Sequence, residues 1–277
     1  GDITTFDMQN HNNGVTGAVL CNFSHGLVER ADEYNAWVCV LAKSYEMIDD
    51  STWEFKLRDD VTWHNGDPFT AADVKYTYVR AATDESLAEN HIFKVIKEVQ
   101  IIDDYTVRFA TDGPYPTMLS LLSKNGSQVM PSKYIEENGL DYYLEHPIGC
   151  GPYQFKEWVK DNVVVLERYD DYFGGTPYWD EVRFRAIPEA STRVAELLTG
   201  NVDIIVNVPT NEWDRINTEE NTEMVLGNGT RIYNVIMKWN TSPTQNKQVR
   251  EAVAYAIDAQ TIIDTVLKGA GTPCYTR

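Results

Sequence analysis

A histidine flanked by acidic side chains is the first feature of the sequence that could do chemistry. His64 precedes the tetrapeptide Asn-Gly-Asp-Pro at 65–68, and Asp73 follows it. An imidazole beside carboxylates can hold a metal ion or move a proton. Asn-Gly and Pro, however, are turn-forming residues, and side chains that leave a turn tend to diverge. We therefore favour a turn, with His64 at its edge, over a metal or acid–base site.

A second candidate pairs a histidine with a cysteine. His146 precedes Cys150 in the run His-Pro-Ile-Gly-Cys. A nucleophilic thiolate also needs a positive, partly exposed setting and a third group that orients the imidazole. The flanking Gly-Cys-Gly-Pro-Tyr instead indicates a glycine turn that enters a strand. We predict a structural role for Cys150 and expect no catalytic residue.

The composition argues against several classes of function. The 277 residues carry 42 acidic and 24 basic side chains, which gives a formal net charge of −18. A nucleic-acid partner would require a basic face, and so would attraction to an anionic membrane surface. The sequence lacks the phosphate-loop motif, a GxGxxG motif after a strand, and the GxSxG and HExxH motifs of common enzyme classes. We therefore expect neither a cofactor nor a nucleic-acid partner.

The cysteine spacing, the lengths of the apolar runs and the start of the chain each add an expectation. The four cysteines have no CxxC spacing, which favours four separate thiols over a zinc site, although a Cys21–Cys39 disulfide stays open. No apolar run of about 18 residues occurs, so we expect no transmembrane helix. The opening Gly-Asp-Ile lacks a start Met and an apolar leader, which indicates a processed or trimmed product.

Irregularly alternating strands and helices must position these residues. Trp53, Phe55 and Leu57 alternate with charged residues, as in a half-buried strand. Thr70 and Asp73 form a capping box ahead of a helix. Further strands are predicted at 99–102, 105–111, 162–169, 180–187, 201–209 and 231–240, with a hairpin turn at 103–104. Further helices are predicted at 188–200, 211–219, 246–258 and 261–269, the last with a second capping box at Thr261 and Asp264. The pattern predicts a mixed-sheet α/β protein of more than one layer.

Four segments taken together resemble one protein family. They are 41–78, which contains Trp-His-Asn-Gly-Asp-Pro, 146–155, 168–204 and 247–271. As a set and in this order, they are similar to the family 5 extracellular solute-binding proteins of ABC importers, the peptide- and nickel-binding type. Cys150 stands where the family usually has Thr in Gly-Thr-Gly-Pro-Tyr.

The resemblance implies a fold and a domain organisation. The fold expected is α/β and periplasmic-binding-protein-like, of the two-lobe type II, with mixed sheets. Residues 1–230 would supply most of lobe one without its first strand. Residues 231–277 would contain a crossing strand and the start of a truncated lobe two. We therefore expect mainly the first lobe of a longer protein.

The resemblance also implies a function. The chain is expected to be the substrate-binding component of an ABC importer, without catalysis, which captures a peptide or similar small solute and delivers it to the membrane permease. It would act as a monomer in a periplasm or as a cell-surface lipoprotein. Two alternatives stay open: a nickel or metal-chelate receptor of the same family, and a secreted carboxylate-dependent hydrolase.

Ligand-contacting residues are expected mainly in the loop after Phe6-Asp7. Amide side chains there offer donors and acceptors that suit a peptide backbone. The candidates are Gln9, Asn10, Asn12, Asn13 and Gly14 in this loop, Asn90 and His91 after the capped helix, and Tyr233 and Asn234 in the crossing strand. His11 and His91 could bind metal in a nickel-type member, but we favour a bystander role and predict no metal ligand.

Overall fold

The described part of the chain, residues 1–31, 36–227 and 232–274 of a computed structural model, divides into two units. The first unit covers residues 1–186 and the second residues 187–277. The first contains α1 (Gly14–Phe23), β1 (Val28–Arg30), β2 (Trp37–Cys39), β3 (Ala42–Asp49), β4 (Thr52–Leu57), α2 (Ala71–Thr83), α3 (Asn90–Phe93), β5 (Ile96–Asp103), β6 (Thr106–Thr111), α4 (Met118–Leu122), α5 (Ser132–Asn138), α6 (Leu140–Glu145), β7 (Tyr153–Val159), β8 (Val163–Arg168) and β9 (Glu181–Arg185). The second contains α7 (Ala190–Leu198), a 3-10 turn (Thr210–Glu212), α8 (Trp213–Thr218), α9 (Lys247–Ala256) and α10 (Ala259–Thr265).

The strands of the first unit form antiparallel sheets. The orders are β1-β2, β3-β4-β6-β5 and β7-β8-β9. The hairpin predicted at 103–104 is confirmed as the β5–β6 connection, where Asp103 Oδ1 accepts a bond from the Tyr105 amide at 2.9 Å. None of the helices in the described ranges is both long and apolar enough to cross a membrane.

Strand β4 carries the predicted alternation into the core. Trp53, Phe55 and Leu57 are 7%, 0% and 2% exposed. Phe55 lies opposite Val107 of β6, and its ring meets the ring of Phe109 edge-on at 5.5 Å. A strand in the middle of a sheet buries one face against the helix layer, which is why the period-two pattern was readable in the sequence.

Helix α2 begins at the predicted capping box, and that box extends into the core. Thr70 is the N-cap residue, and Asp73 Oδ2 accepts a bond from the Thr70 amide at 2.9 Å. The buried Asp73 carboxylate also accepts Trp63 Nε1 at 3.3 Å and both the amide and hydroxyl of Ser132, at 2.8 and 2.7 Å. Burial nevertheless raises the pKa of Asp73 above its usual value. The cap therefore also fixes the start of α5 against α2.

Two predicted strands are wrong. The structure assigns no strand within 201–209 or within 232–240, and Ile204 and Ile236 are 83% and 77% exposed. Arg231, at the start of the second prediction, lies outside the described residues. A strand needs a neighbour to take its backbone hydrogen bonds, and no described strand pairs with either segment.

The helices of the second unit agree with prediction except in their caps and burial. The helices predicted at 188–200, 211–219 and 246–258 are confirmed as α7, α8 and α9. The predicted capping box at Thr261 is wrong, because Asp258 is the N-cap of α10 and accepts the Thr261 amide at 3.0 Å. Aspartate is the stronger cap, so the helix begins earlier than expected. The apolar residues that recur along one side of α9, Val249, Ala252, Val253 and Ala256, are largely exposed.

A glycine turn lies directly against the end of α1. The Gly151 amide donates to the carbonyl of Phe23 at 2.9 Å. A Cβ atom at Gly149 would stand 2.0 Å from the Phe23 carbonyl oxygen, and one at Gly151 would stand 2.6 Å from its carbonyl carbon. Only glycine allows this approach, because the obstructing atoms belong to backbone that is itself hydrogen-bonded.

We expect Gly149→Ala to lower the free energy of unfolding by more than about 2 kcal/mol, because the added methyl group must displace the end of α1. The matched control is Gly14→Ala at the first position of α1, where a Cβ atom meets nothing within 4 Å. That control should change stability by less than about 1 kcal/mol. Urea unfolding followed by tryptophan fluorescence measures both, and equal losses would contradict the close-approach explanation.

Candidate functional site

A buried ion pair holds the loop in which most candidate residues lie. Arg80 of α2 donates from Nη1 to Asp7 Oδ1 at 2.9 Å and from Nη2 to Asp7 Oδ2 at 2.7 Å. The side chains are 13% and 4% exposed. This two-bond geometry fixes orientation as well as distance. The loop after Phe6-Asp7 is therefore anchored at its first residue to the C-terminal half of α2.

Gln9 extends the same network. Its Oε1 accepts from Arg80 Nη1 at 2.8 Å, and its Nε2 donates to the carbonyl of Thr77 at 2.7 Å. Its backbone amide donates to Asp7 Oδ1 at 3.0 Å. The residue is 1% exposed. The Gln9 amide is thus used inside the protein, where it sets the path of the loop.

The remaining loop residues differ in how much they offer to solvent. Asn13 is the N-cap of α1, and its Oδ1 accepts from the amides of Val15 and Thr16 at 2.8 and 3.3 Å. Gly14 is the first residue of that helix. Asn10 and Asn12 are exposed. Asn13 is exposed as well, but its side-chain oxygen is already used by the cap, so Asn10 and Asn12 are the amides of the loop with both groups open to a solute.

His11 is buried in the loop, and neither ring nitrogen has a hydrogen-bond partner among the residues that the structure describes. It is 3% exposed, and burial lowers the pKa of its imidazole, which favours the neutral form. Buried polar groups are nearly always paired, so an unpaired imidazole beside Asn10 and Asn12 marks a place where the loop is not optimised for stability alone.

The segment after α2 lies next to this loop. Asn90 is buried and donates from Nδ2 to the carbonyls of Ala81 and Ala82 at 3.0 and 3.1 Å, at the end of α2. His91 beside it is exposed. An atom at the Cβ position of Gly126 would lie 3.6 Å from the carbonyl oxygen of Met8 and 3.6 Å from the side chain of Glu89. The structure thus brings Met8 of the loop close to Glu89 at the start of α3.

Tyr233 and Asn234 lie in the second unit. Tyr233 is 84% exposed, and Asn234 is also exposed. Their predicted strand is not formed, so the proposed ligand contact at these residues rests on exposure alone.

His64 has a structural place that the sequence did not reveal. The turn at 65–68 is formed as predicted, with Gly66 at a φ of 86°. His64 Nδ1, however, accepts the Gly149 amide at 3.0 Å, and Nε2 donates to the carbonyl of Gly151 at 3.0 Å. The rings of Phe23 and Tyr169 meet it edge-on at 5.3 and 4.8 Å. His64 therefore lies half-buried at the start of the turn, as predicted, and its ring also joins two segments of the family-like pattern.

The Cys150 thiol has none of the features of a nucleophile. It is buried, its Sγ lies 3.7 Å from Ser24 Oγ, and burial raises its pKa to about 11. The sulfur is protonated near neutral pH and unreactive. His146 is exposed and stacks on Tyr142 with ring centroids 4.3 Å apart. Cys21, Cys39 and Cys150 are separate thiols, as predicted, so the Cys21–Cys39 disulfide is not formed.

No metal centre is assembled in the parts of the chain that the structure describes. No three His, Cys, Asp or Glu side chains are grouped there so that they could share an ion. Asp67, the acid nearest to His64 in sequence, pairs instead with Lys133 at 2.9 Å. The Lys133 partner holds the pKa of the Asp67 carboxyl below its usual value.

Comparison with known proteins identifies the family. The model of the bacterial extracellular solute-binding proteins, family 5, middle region, matches residues 36–276. The chain belongs to this family. Within it, the glutathione-binding protein GsiB of Salmonella paratyphi A is 28% identical over 275 residues, which cover 98% of this chain and 53% of that protein. The oligopeptide-binding protein AppA of Bacillus subtilis is 30% identical over 265 residues, which cover 92% of this chain and 48% of that protein.

Solved structures agree with the family assignment. The PBP AgaA from A. tumefaciens R10, in complex with agropinic acid, matches with a TM-score of 0.83 and 27% identity over 99% of this chain and 56% of its own. The predicted α/β, periplasmic-binding-protein-like fold is therefore confirmed. This solute-binding chain spans about half the length of the curated relatives that it matches.

We expect the destabilisation caused by His64→Asn to be larger at pH 7 than at pH 5. Burial lowers the pKa of folded His64 from 6.5 to about 4, so between these values the unfolded chain binds a proton that the folded chain does not. The contribution of neutral His64 is complete above pH 6.5 and falls as the pH drops towards 4, by at most about 1.4 kcal/mol per pH unit.

Urea unfolding at the two pH values measures this difference. His146→Gln, an exposed histidine substitution, is the matched control and should cost less than about 0.5 kcal/mol at either pH. An equal loss from His64→Asn at both pH values would show that the folded protein does not hold this imidazole neutral.

Proposed function

We propose that this chain is part of the solute receptor of an ABC importer, which captures a peptide or a similar small solute outside the membrane and delivers it to the permease. The observation that carries the proposal is the family match over residues 36–276. Relatives that bind glutathione and oligopeptides support a peptide-like solute. The receptor performs no catalysis and works as a monomer in a periplasm or as a cell-surface lipoprotein.

Solute contacts in the first unit are assigned to the exposed amides of Asn10 and Asn12. Each carries both a donor and an acceptor, as peptide groups do. The buried Gln9 side chain bonds Arg80 and the carbonyl of Thr77, which fixes the loop and so orients these two exposed amides. Asn13 and Gly14 set where α1 begins, and Asn90 sets where α2 ends. His91, Tyr233 and Asn234 are further contacts of the same proposal.

We infer that the second lobe of the receptor is completed by chain outside this sequence. In the second unit, large apolar side chains stay exposed: Ile204, Val206, Val225, Tyr233, Ile236, Trp239 and Tyr255. Exposed apolar surface of this kind usually packs against another segment or another protein. Relatives about twice as long supply such a segment. The lobe boundary near residue 230 stays a prediction. The structure itself divides the chain into two units after Ala186.

A thermal-shift panel on the full-length protein that contains this chain tests the proposal. The panel holds glutathione, a dipeptide and a nonapeptide, with glucose and nickel–histidine as the competing solute classes. We expect at least one peptide to raise the melting temperature, because a ligand that binds only the folded state stabilises it by about 2.7 kcal/mol at 100 times Kd. A rise only with glucose or the nickel chelate would overturn the peptide assignment.

The loop residues are tested on the same protein with the double variant Asn10→Ala/Asn12→Ala. We expect peptide affinity to fall by about tenfold or more, with the ligand-free melting temperature unchanged, since both side chains are exposed. Asn138→Ala, an exposed asparagine at the end of α5, is the control. Unchanged affinity in the double variant would remove the loop from the site without affecting the importer assignment.

A further inference from the structure

A surface cavity of about 920 Å³ opens on the first unit. It lies between α3 with the start of β5 on one side and the end of β6 with α4 on the other. Its size falls within the range of small-molecule sites. The cavity is lined by His91, Ile92, Lys94, Val95, Lys97, Asp112, Tyr115, Thr117, Ser120, Leu121 and Lys124.

The charge of this cavity is opposite to that of the whole chain. The chain carries a formal net charge of −18, yet three of the lining side chains are lysines and one is an aspartate. Lys97 lies 3.5 Å from Asp112. Within the described residues, Lys94 and Lys124 have no carboxylate within salt-bridge distance. Two ammonium groups are therefore left to attract an anion into the cavity.

Neutral groups in the cavity complement these charges. The hydroxyls of Tyr115, Thr117 and Ser120 make no side-chain hydrogen bond within the part of the chain that the structure describes, so they can donate to an incoming oxygen. Ile92, Val95 and Leu121 provide apolar surface between the polar groups. A ligand that satisfies this set has several anionic oxygens carried on a short carbon skeleton.

We propose that this cavity binds a small organic polyanion of the di- or tricarboxylate class. Lys94 and Lys124 each pair with a carboxylate, the three hydroxyls bond the remaining oxygens, and the carbon skeleton lies on the apolar wall. Inorganic phosphate matches the charge but has no carbon skeleton for that wall. The proposal is distinct from the importer function, because the charges that carry it belong to Lys94 and Lys124, neither of which is assigned to the importer's solute; His91 is the one lining residue that the two proposals share.

The strength of such binding is limited by exposure. Lys94 and Lys124 are exposed, and charge pairs in solvent contribute on the order of 1 kcal/mol each. They are also screened, with a Debye length of about 10 Å at 0.1 M salt. We therefore expect affinity for a tricarboxylate to be modest and to weaken as salt is added.

The test is a calorimetric titration of the full-length protein with citrate at pH 7 and low salt, compared with titration by inorganic phosphate. The cavity variant is Lys94→Gln/Lys124→Gln. The control is Lys43→Gln/Lys133→Gln, which removes the same charge from lysines that pair with Asp59 and Asp67 outside the cavity. All four lysines are exposed, so both variants should keep the wild-type melting temperature.

We expect the cavity variant to weaken citrate binding by about tenfold or more, and the control by less than about twofold. Phosphate should bind the wild type more weakly than citrate does. Three results would each overturn the proposal: no citrate binding to the wild type, equal loss in the two variants, or phosphate affinity equal to that of citrate.

Discussion

The buried ion pair between Asp7 and Arg80 is the interaction on which the candidate site depends. A carboxylate that is 4% exposed is strongly unfavourable unless a cation and hydrogen bonds compensate for its lost hydration. Arg80 provides both through two parallel bonds and donates once more to Gln9. The first residues of the loop proposed to contact solute are therefore held in one position, and such preorganisation reduces the ordering cost of binding.

The same reasoning extends along the whole inward face of α2. Asp73, Thr77 and Arg80 are spaced so that they share one side of the helix. Asp73 holds Trp63 and Ser132, and the Thr77 hydroxyl accepts the Met130 amide at 2.9 Å while its carbonyl accepts Gln9. This polar side of α2 is thus the place where several segments of the chain are joined. Asn10 and Asn12, the residues proposed to contact solute, lie outside this network and are exposed.

Local features of this fold were predictable, and contacts between distant segments were not. The alternation in β4 and the cap at Thr70 follow from neighbouring residues, and both are confirmed. The bonds from His64 to Gly149 and Gly151 and from Arg80 to Asp7 join segments far apart in the chain, and no spacing rule points to them. The segments 201–209 and 231–240 have the composition of strands, but a strand also needs a neighbouring strand that takes its backbone hydrogen bonds. The cavity at 91–124 left no motif at all, because its lysines are scattered through the sequence.

A double-mutant cycle between Asp7 and Arg80, measured by urea unfolding of Asp7→Asn, Arg80→Met and the double variant, tests the central claim most directly. A buried pair predicts a loss of about 3 to 5 kcal/mol for Arg80→Met alone and a coupling energy of at least about 2 kcal/mol. The exposed pair of Lys43 and Asp59, taken through the same cycle, should couple by less than about 1 kcal/mol. Additive losses at Asp7 and Arg80 would contradict the account, because they would mean that the pair does not hold the loop on α2.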